Sequence, residues 1–196
     1  MFTPLITRDP DGAALAAPVD AARRNGATYT TRTINDLRIK DDRLRAAVEG
    51  TGHLLFDGGM GTYFSTRNQS VGSGCELANL SQPELIADIH REYLEAGSKA
   101  IKTNTFAVNR VNFQGNEELV ERTIQAGWKL ACEAAKDQAY VFADIGPISS
   151  LPETMDIREE FRFVADCFLQ LGAQHFLFET NANAEGLKET AAYIKQ

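Results

Sequence analysis

The chain predicts an α/β protein made of parallel strand–helix units, and three observations carry that prediction. Four short apolar runs recur, starting at residues 53, 100, 140 and 175, and each ends on a polar or acidic residue. A helical pattern follows each run. The units repeat in one order, and crossover connections of that kind return each strand parallel to the one before it. Short apolar runs suit this arrangement, because helices cover both faces of a parallel sheet. Two architectures fit: an open doubly wound sheet, or a β/α barrel. A full barrel takes eight strands and about 250 residues, and four strands are read here. In either case the strand tips, where each run meets its polar residue, are where a site is built.

Taken in order, residues 1–35 carry Pro4, Pro10, Gly12, Pro18, Gly26 and a threonine-rich stretch with no sustained period. They read as a loosely ordered extension ahead of a unit spanning 36–196. A helix is expected over Asn35–Glu49, with Leu37, Leu44, Ala47 and Val48 near one face and Gly50 and Gly52 ending it. That helix serves equally as a plug under a barrel or as a solvated element. The first strand, His53–Phe56, leads into the Gly-rich turn Asp57-Gly-Gly-Met-Gly-Thr62. Ser81 and Glu84 have the spacing of a capping box, opening a helix with Leu85, Ile86, Ile89 and Tyr93 on one face. Ala100–Lys102 then delivers Thr103 and Asn104. Asn116 is the expected N-cap of a helix to Lys136, with Leu119, Val120, Ile124 and Ala131 inward. Tyr140–Ala143 ends on Asp144, and Asp156 with Glu159 makes a second capping box for a helix burying Phe161, Val164, Phe168 and Leu169. His175–Phe178 ends on Glu179, and a last helix carries Leu187, Ala191 and Ile194.

Bulk properties remove several function classes. A net charge of −7 and a pI near 5.0 argue against nucleic acid or an anionic membrane as partner, since both select a basic face. No apolar stretch approaches the ~18 residues that span a bilayer, and the N-terminus lacks the basic start and apolar core of a signal peptide. Cys75, Cys132 and Cys167 are odd in number and widely spaced, which fits a reducing, cytoplasmic setting rather than a disulfide framework.

The Asp57–Thr62 turn is the strongest local signal. Glycines just after a strand let backbone approach a ligand and present N–H groups to an anion, although a tight turn needing positive φ gives the same pattern. A dinucleotide fingerprint fails, because Phe64 stands where the third glycine belongs, and no Gly-Lys-Ser/Thr is present. Asp57, Asp144 and Glu179 converge at one rim if the strands are parallel neighbours. Three carboxylates there suit an ammonium group, Mg²⁺ or acid–base work. Asp144 reads most simply as a turn residue, given Gly146-Pro147; Glu179 reads as functional. Thr103 and Asn104 offer neutral hydrogen bonds. The cysteines form no metal pair: Cys132 and Cys167 lie in helices, and Cys75 in the loop after the first strand. None of His53, His90 and His175 is placed for catalysis.

Together, Phe56-Asp-Gly-Gly-Met-Gly-Thr62, Cys75-Glu-Leu-Ala-Asn79 with Ser81-Gln-Pro-Glu84, Lys102-Thr-Asn-Thr-Phe106, Ala143-Asp-Ile-Gly-Pro147 and Phe178-Glu-Thr180 resemble the homocysteine S-methyltransferase family. That family includes the homocysteine-binding domains of cobalamin-dependent methionine synthase and of methylenetetrahydrofolate reductase fusions. The resemblance runs from about His53 onward and implies a TIM-type (β/α)8 barrel of which about four units are present. It implies homocysteine as substrate, methionine as product and a zinc ion held by three cysteine thiolates, which stabilises the attacking thiolate. The donor is left open among methylcobalamin, a methylfolate and a methyl sulfonium. By the same resemblance the backbone of Gly58, Gly59, Met60, Gly61 and Thr62 receives the amino acid's carboxylate. Asp57 and Glu179 hold its ammonium, and Thr103 and Asn104 line the pocket. The family's zinc cysteines, a lone one and an adjacent pair, belong to the later half of the barrel. No catalytic or metal-binding residue is therefore identified in this chain. It carries the amino-acid recognition half of the site, and an open half-barrel exposes strand edges and an apolar face. Such a chain works with a second half-barrel, or self-associates as a non-catalytic amino-acid-binding module.

Overall fold

Two strands near the N-terminus close one side of a five-stranded sheet. The computed structural model describes residues 5–8, 14–16, 41–68, 74–149, 151–182 and 184–195. Its elements run β1 (Leu5–Arg8), β2 (Ala14–Ala16), α1 (Asp42–Glu49), α2 (Met60–Arg67), α3 (Ala78–Ser81), α4 (Pro83–Glu95), β3 (Ala100–Lys102), α5 (Glu117–Ala135), β4 (Tyr140–Ile145), α6 (Ile157–Gln170), β5 (His175–Phe178) and α7 (Leu187–Ile194). The sheet order is β2-β1-β5-β4-β3. β3, β4 and β5 are parallel neighbours, as the repeated strand–helix pattern requires. β1 pairs antiparallel along β5, and β2 along β1. Part of the segment read as a loose extension therefore enters the sheet; the rest of residues 1–40 lies outside the described residues.

The first expected strand is reduced to a parallel bridge between Phe56 and Ala100. It is held by Asp57 N–H donating to the Ala100 carbonyl at 2.9 Å and Lys99 N–H to that of Leu55 at 2.8 Å. This is enough to set the Asp57 turn beside the tip of β3.

Side-chain alternation along the strands divides the core in two. Ile101, Ala143, Ile145, Phe176 and Phe178 face the helix layer, where they pack against α5, α6 and α7. Ala100, Phe142 and Leu177 point to the opposite face and pack with Leu44 and Val48 of α1, and with Leu54, Phe56 and Tyr140. Leu44 is 2% exposed. The apolar face expected to stand open is thus covered by α1, whose plugging role the sequence left undecided. Residues 35–40 of the expected helix lie outside the described residues. Asp41 caps α1 by accepting from the Arg43 and Leu44 N–H groups at 3.0 and 2.9 Å.

Asn116 caps α5 through Leu119 N–H at 3.1 Å, and Asp156 caps α6 through Arg158 N–H at 2.8 Å. The Ser81 capping box does not form. Ser81 ends α3, and its hydroxyl donates to the Leu77 carbonyl at 3.2 Å. Instead α4 starts at Pro83 after Gln82. Proline at the first helical position has φ already set and no N–H needing a partner, so the start stands without a side-chain cap. No helix among the described residues is long and apolar enough to cross a membrane.

Candidate functional site

One step beyond α1 the covered face changes from apolar to charged. Lys102 follows Ala100 by two residues, Asp144 follows Phe142, and Glu179 follows Leu177. Period-two alternation therefore brings all three to one face at the strand tips. They line a cleft of about 340 Å³ together with Gly59, Met60, Gly61, Thr62, Cys75, Glu76, Thr103, Asn104, Thr105, Phe106 and Thr180. Of the residues expected in the site, Gly59, Met60, Gly61, Thr62, Thr103, Asn104 and Glu179 reach this cleft. Asp57 and Gly58 are not among its lining residues: Asp57 is buried beside Lys102, and Gly58 is exposed.

Lys102 organises the charges. Its Nζ lies 3.2 Å from Glu179 Oε1 and 3.8 Å from Asp57 Oδ1, and its backbone N–H donates to Asp57 Oδ2 at 3.0 Å. Burial works against the Lys102 charge, but Asp57, Glu179 and Asp144 outweigh it and hold the ammonium above the usual lysine value. Burial likewise pushes Asp57 up to about 6, against the pull of Lys102. Asp144 is 3% exposed, and burial together with the Glu179 charge raises it well above the usual carboxylate range. The sequence offered a signal for Lys102, which stands inside the Lys102–Phe106 motif, but no partner to interpret it by. Asp144 was read mainly as a turn residue; the structure makes it a wall of the cleft.

Thr103 and Asn104 shape the cleft with polar groups already engaged inside the protein. Thr105 Oγ1 donates to the Asp144 carbonyl at 2.8 Å, so in the 2.6 Å contact between the two hydroxyls Thr103 is the donor. Thr103 Oγ1 in turn accepts from Asp144 N–H at 3.0 Å. Asn104 Nδ2 donates to the Cys75 carbonyl at 2.7 Å and to Asn79 Oδ1 at 2.9 Å, while its Oδ1 accepts from Cys75 Sγ at 3.1 Å. These bonds pin the loop around Cys75 to the tip of β3. Thr180, a non-glycine residue at φ +60°, completes the rim in a conformation that the surroundings must impose.

The Gly-rich turn is explained by approach rather than by positive φ. None of Gly58, Gly59 and Gly61 is among the positive-φ glycines. A Cβ on Gly58 would stand 2.8 Å from Tyr93 Oη, so the residue lets the turn lie against the Tyr93 ring. The turn then feeds α2, whose cap residue Gly59 brings no side-chain hydrogen bond. Met60, Gly61 and Thr62, which open this helix, line the cleft, and the first N–H groups of a helix have no partner within it.

A three-thiolate metal set is not assembled among the described residues. Cys75 lines the cleft, with its thiol pushed up to about 12 by burial and by Glu76. Cys132 and Cys167 lie half-buried on α5 and α6. What the cleft holds is the start of α2 on its lining and a group of carboxyls around Lys102.

Comparison with known proteins gives consistent likenesses. The family model described as homocysteine S-methyltransferase matches residues 54–196. The chain is similar to a methionine synthase of Mycobacterium tuberculosis, 32% identical over 147 residues, covering 65% of this chain and 12% of that protein. A methionine synthase of Mycobacterium leprae is 31% identical over 149 residues, with the same coverage. The chain thus spans a small part of the curated relatives it matches. Among solved structures, the fold resembles the homocysteine methyltransferase MmuM from Escherichia coli. Its metallated form aligns with a TM-score of 0.52 at 21% identity over 67% of this chain and 55% of that one. The apo form gives 0.52 at 22% identity over 78% and 58%.

Proposed function

Because the chain belongs to the homocysteine S-methyltransferase family, we propose that its cleft binds homocysteine by its amino-acid groups, as the recognition half of a site that methylates the thiol to methionine. One observation carries this reading: the residues that open α2 and the carboxyls of Asp144 and Glu179 line a single cleft. The N–H groups that open α2, around Gly61 and Thr62, suit the α-carboxylate. Glu179 at the tip of β5 suits the α-ammonium, with Lys102 fixing it and Asp57 in place. Met60 and Phe106 supply apolar wall for the side chain, and Thr103 and Asn104 hold the floor rigid.

The family implies zinc for thiol activation. The described residues do not fit it, since one poorly ionised thiol in the cleft is no three-thiolate set. This chain's own residues therefore account for binding and orientation. Thiol activation and the methyl donor, whether methylcobalamin, a methylfolate or a methyl sulfonium, are assigned to parts of the family architecture outside the described cleft. A second half-barrel is the partner that would supply them.

Calorimetric titration of the full chain with homocysteine tests the reading. Glu179→Gln keeps the side chain's shape and removes the charge that attracts the ammonium. It should weaken binding at least about tenfold, equivalent to about 1.4 kcal/mol. An unchanged affinity in a folded variant would remove Glu179 from the site.

A further inference from the structure

Asp144 is the cleft carboxyl that amino-acid recognition, as laid out above, leaves without a task. Its backbone is fully used by the Thr103 and Thr105 hydroxyls. Its side chain is not: Oδ1 is buried and has no hydrogen-bond partner, although Asp144 lines the cleft. It shares the cleft with the Glu179 carboxyl, and Lys102, the cation these acids share, is already paired with Glu179 and Asp57. A carboxyl that is 3% exposed, has an unpartnered oxygen and stands among other acids around one lysine favours its protonated form, because ionising it would bury a further uncompensated negative charge.

The titratable groups around this proton come from four segments. Lys102 reaches in from β3, but its ammonium is engaged by Glu179 and Asp57. Asp57 stands beside Lys102, 3.8 Å from its Nζ, with its own Oδ1 also lacking a hydrogen bond. Glu179 lines the same cleft from the tip of β5, and Tyr93 of α4 is close enough to Asp57 to feel its charge. Burial of so many carboxyls around one lysine leaves room for one further positive group. In the free protein a proton fills that role.

We propose that Asp144 is a ligand-binding carboxyl that holds a proton in the free protein and releases it to solvent when an α-ammonium group enters beside Glu179. One cation replaces another: the O–H bond of Asp144 breaks, its proton passes to buffer, and the ammonium donates to the oxygens left behind. The buried charge of the cleft is unchanged by the exchange, so the cost of burying an extra charge is avoided. This rests on the reading of the cleft as an amino-acid site and adds a residue and a proton count to it.

The test is calorimetry on the full chain at about pH 7.5, in phosphate and in HEPES, with homocysteine and with 2-aminobutyrate, which lacks the thiol. The expected result is net proton release approaching one per ligand, and an affinity that rises with pH, by up to about tenfold per pH unit, for as long as Asp144 is protonated in the free protein. Asp144→Asn, which copies the shape and neutrality of the protonated side chain, should release almost none and lose that slope. Carboxyl ¹³C NMR of the ligand-free wild type reads the Asp144 proton directly, without relying on a variant. Homocysteine binding with no proton release, or an ionised Asp144 in the free protein, overturns the Asp144 assignment and leaves the homocysteine reading intact. Equal affinity for 2-aminobutyrate with proton release supports Asp144 and overturns the preference for homocysteine. Failure of both ligands to bind overturns both.

Discussion

Replacing Asp57 by asparagine should stabilise the protein at neutral pH, by an amount that follows from where the carboxyl sits. Asp57 is 8% exposed, and burial moves it from the 3.8 of an unperturbed aspartate to about 6 despite Lys102. The native state therefore binds the Asp57 proton more tightly than the unfolded chain does. Between pH 3.8 and 6 the folded form holds that proton while the unfolded form has lost it, so stability falls as pH rises through this window. At about 1.4 kcal/mol per tenfold change in proton affinity, the full cost above pH 6 is on the order of 3 kcal/mol. Asparagine resembles the protonated side chain: it accepts the Lys102 N–H and never ionises. The variant should exceed wild type by about 1.5 kcal/mol at pH 5 and about 3 kcal/mol at pH 7.5. In a chain of this length the latter corresponds to roughly 6–12 °C in Tm. Urea unfolding of both proteins at the two pH values measures the difference. A difference that stays constant with pH, or an asparagine variant less stable at pH 7.5, would refute the placement of Asp57 as a buried, under-compensated acid.

Two further outcomes test the scaffold around the cleft. Leu44→Ala empties the contact that docks α1 on Ala100, Phe142 and Leu177, and should cost about 2–5 kcal/mol in urea unfolding; a cost near zero would mean that α1 does not cover that face. Gly58→Ala drives a methyl group into the Tyr93 ring and should destabilise by about 1–3 kcal/mol. Tyr93→Ala should relieve most of that in a double-mutant cycle, whereas additive costs would place the glycine's role elsewhere.

How much was legible beforehand depended on whether the governing contact was local. The four strand tips, the Asn116 and Asp156 caps and the buried faces of α4 to α7 follow from patterns within a few residues. They appear where the sequence put them. The Ser81 box failed because a competing local device, Pro83 at the helix start, needs no cap. Gly58 looked like a turn glycine, and its reason lies 35 positions away in Tyr93. Lys102 and Asp144 had no readable task because their partners arrive from other strands.

The sequence by itself determined that strands alternate with helices and that acids stand at three of the four strand tips. It also carried the motifs that mark the family. Periodicity and punctuation are local properties, and the chain spells them out. Only the tertiary structure decided which tip residues meet. Parallel pairing in register puts Lys102, Asp144 and Glu179 on one face, brings Asp57 against Lys102, and seats α1 over the apolar part of that same face. Burial then sets the charges, because a carboxyl's proton affinity depends on the water it has lost and on the charged groups beside it, and a linear chain specifies neither until it folds.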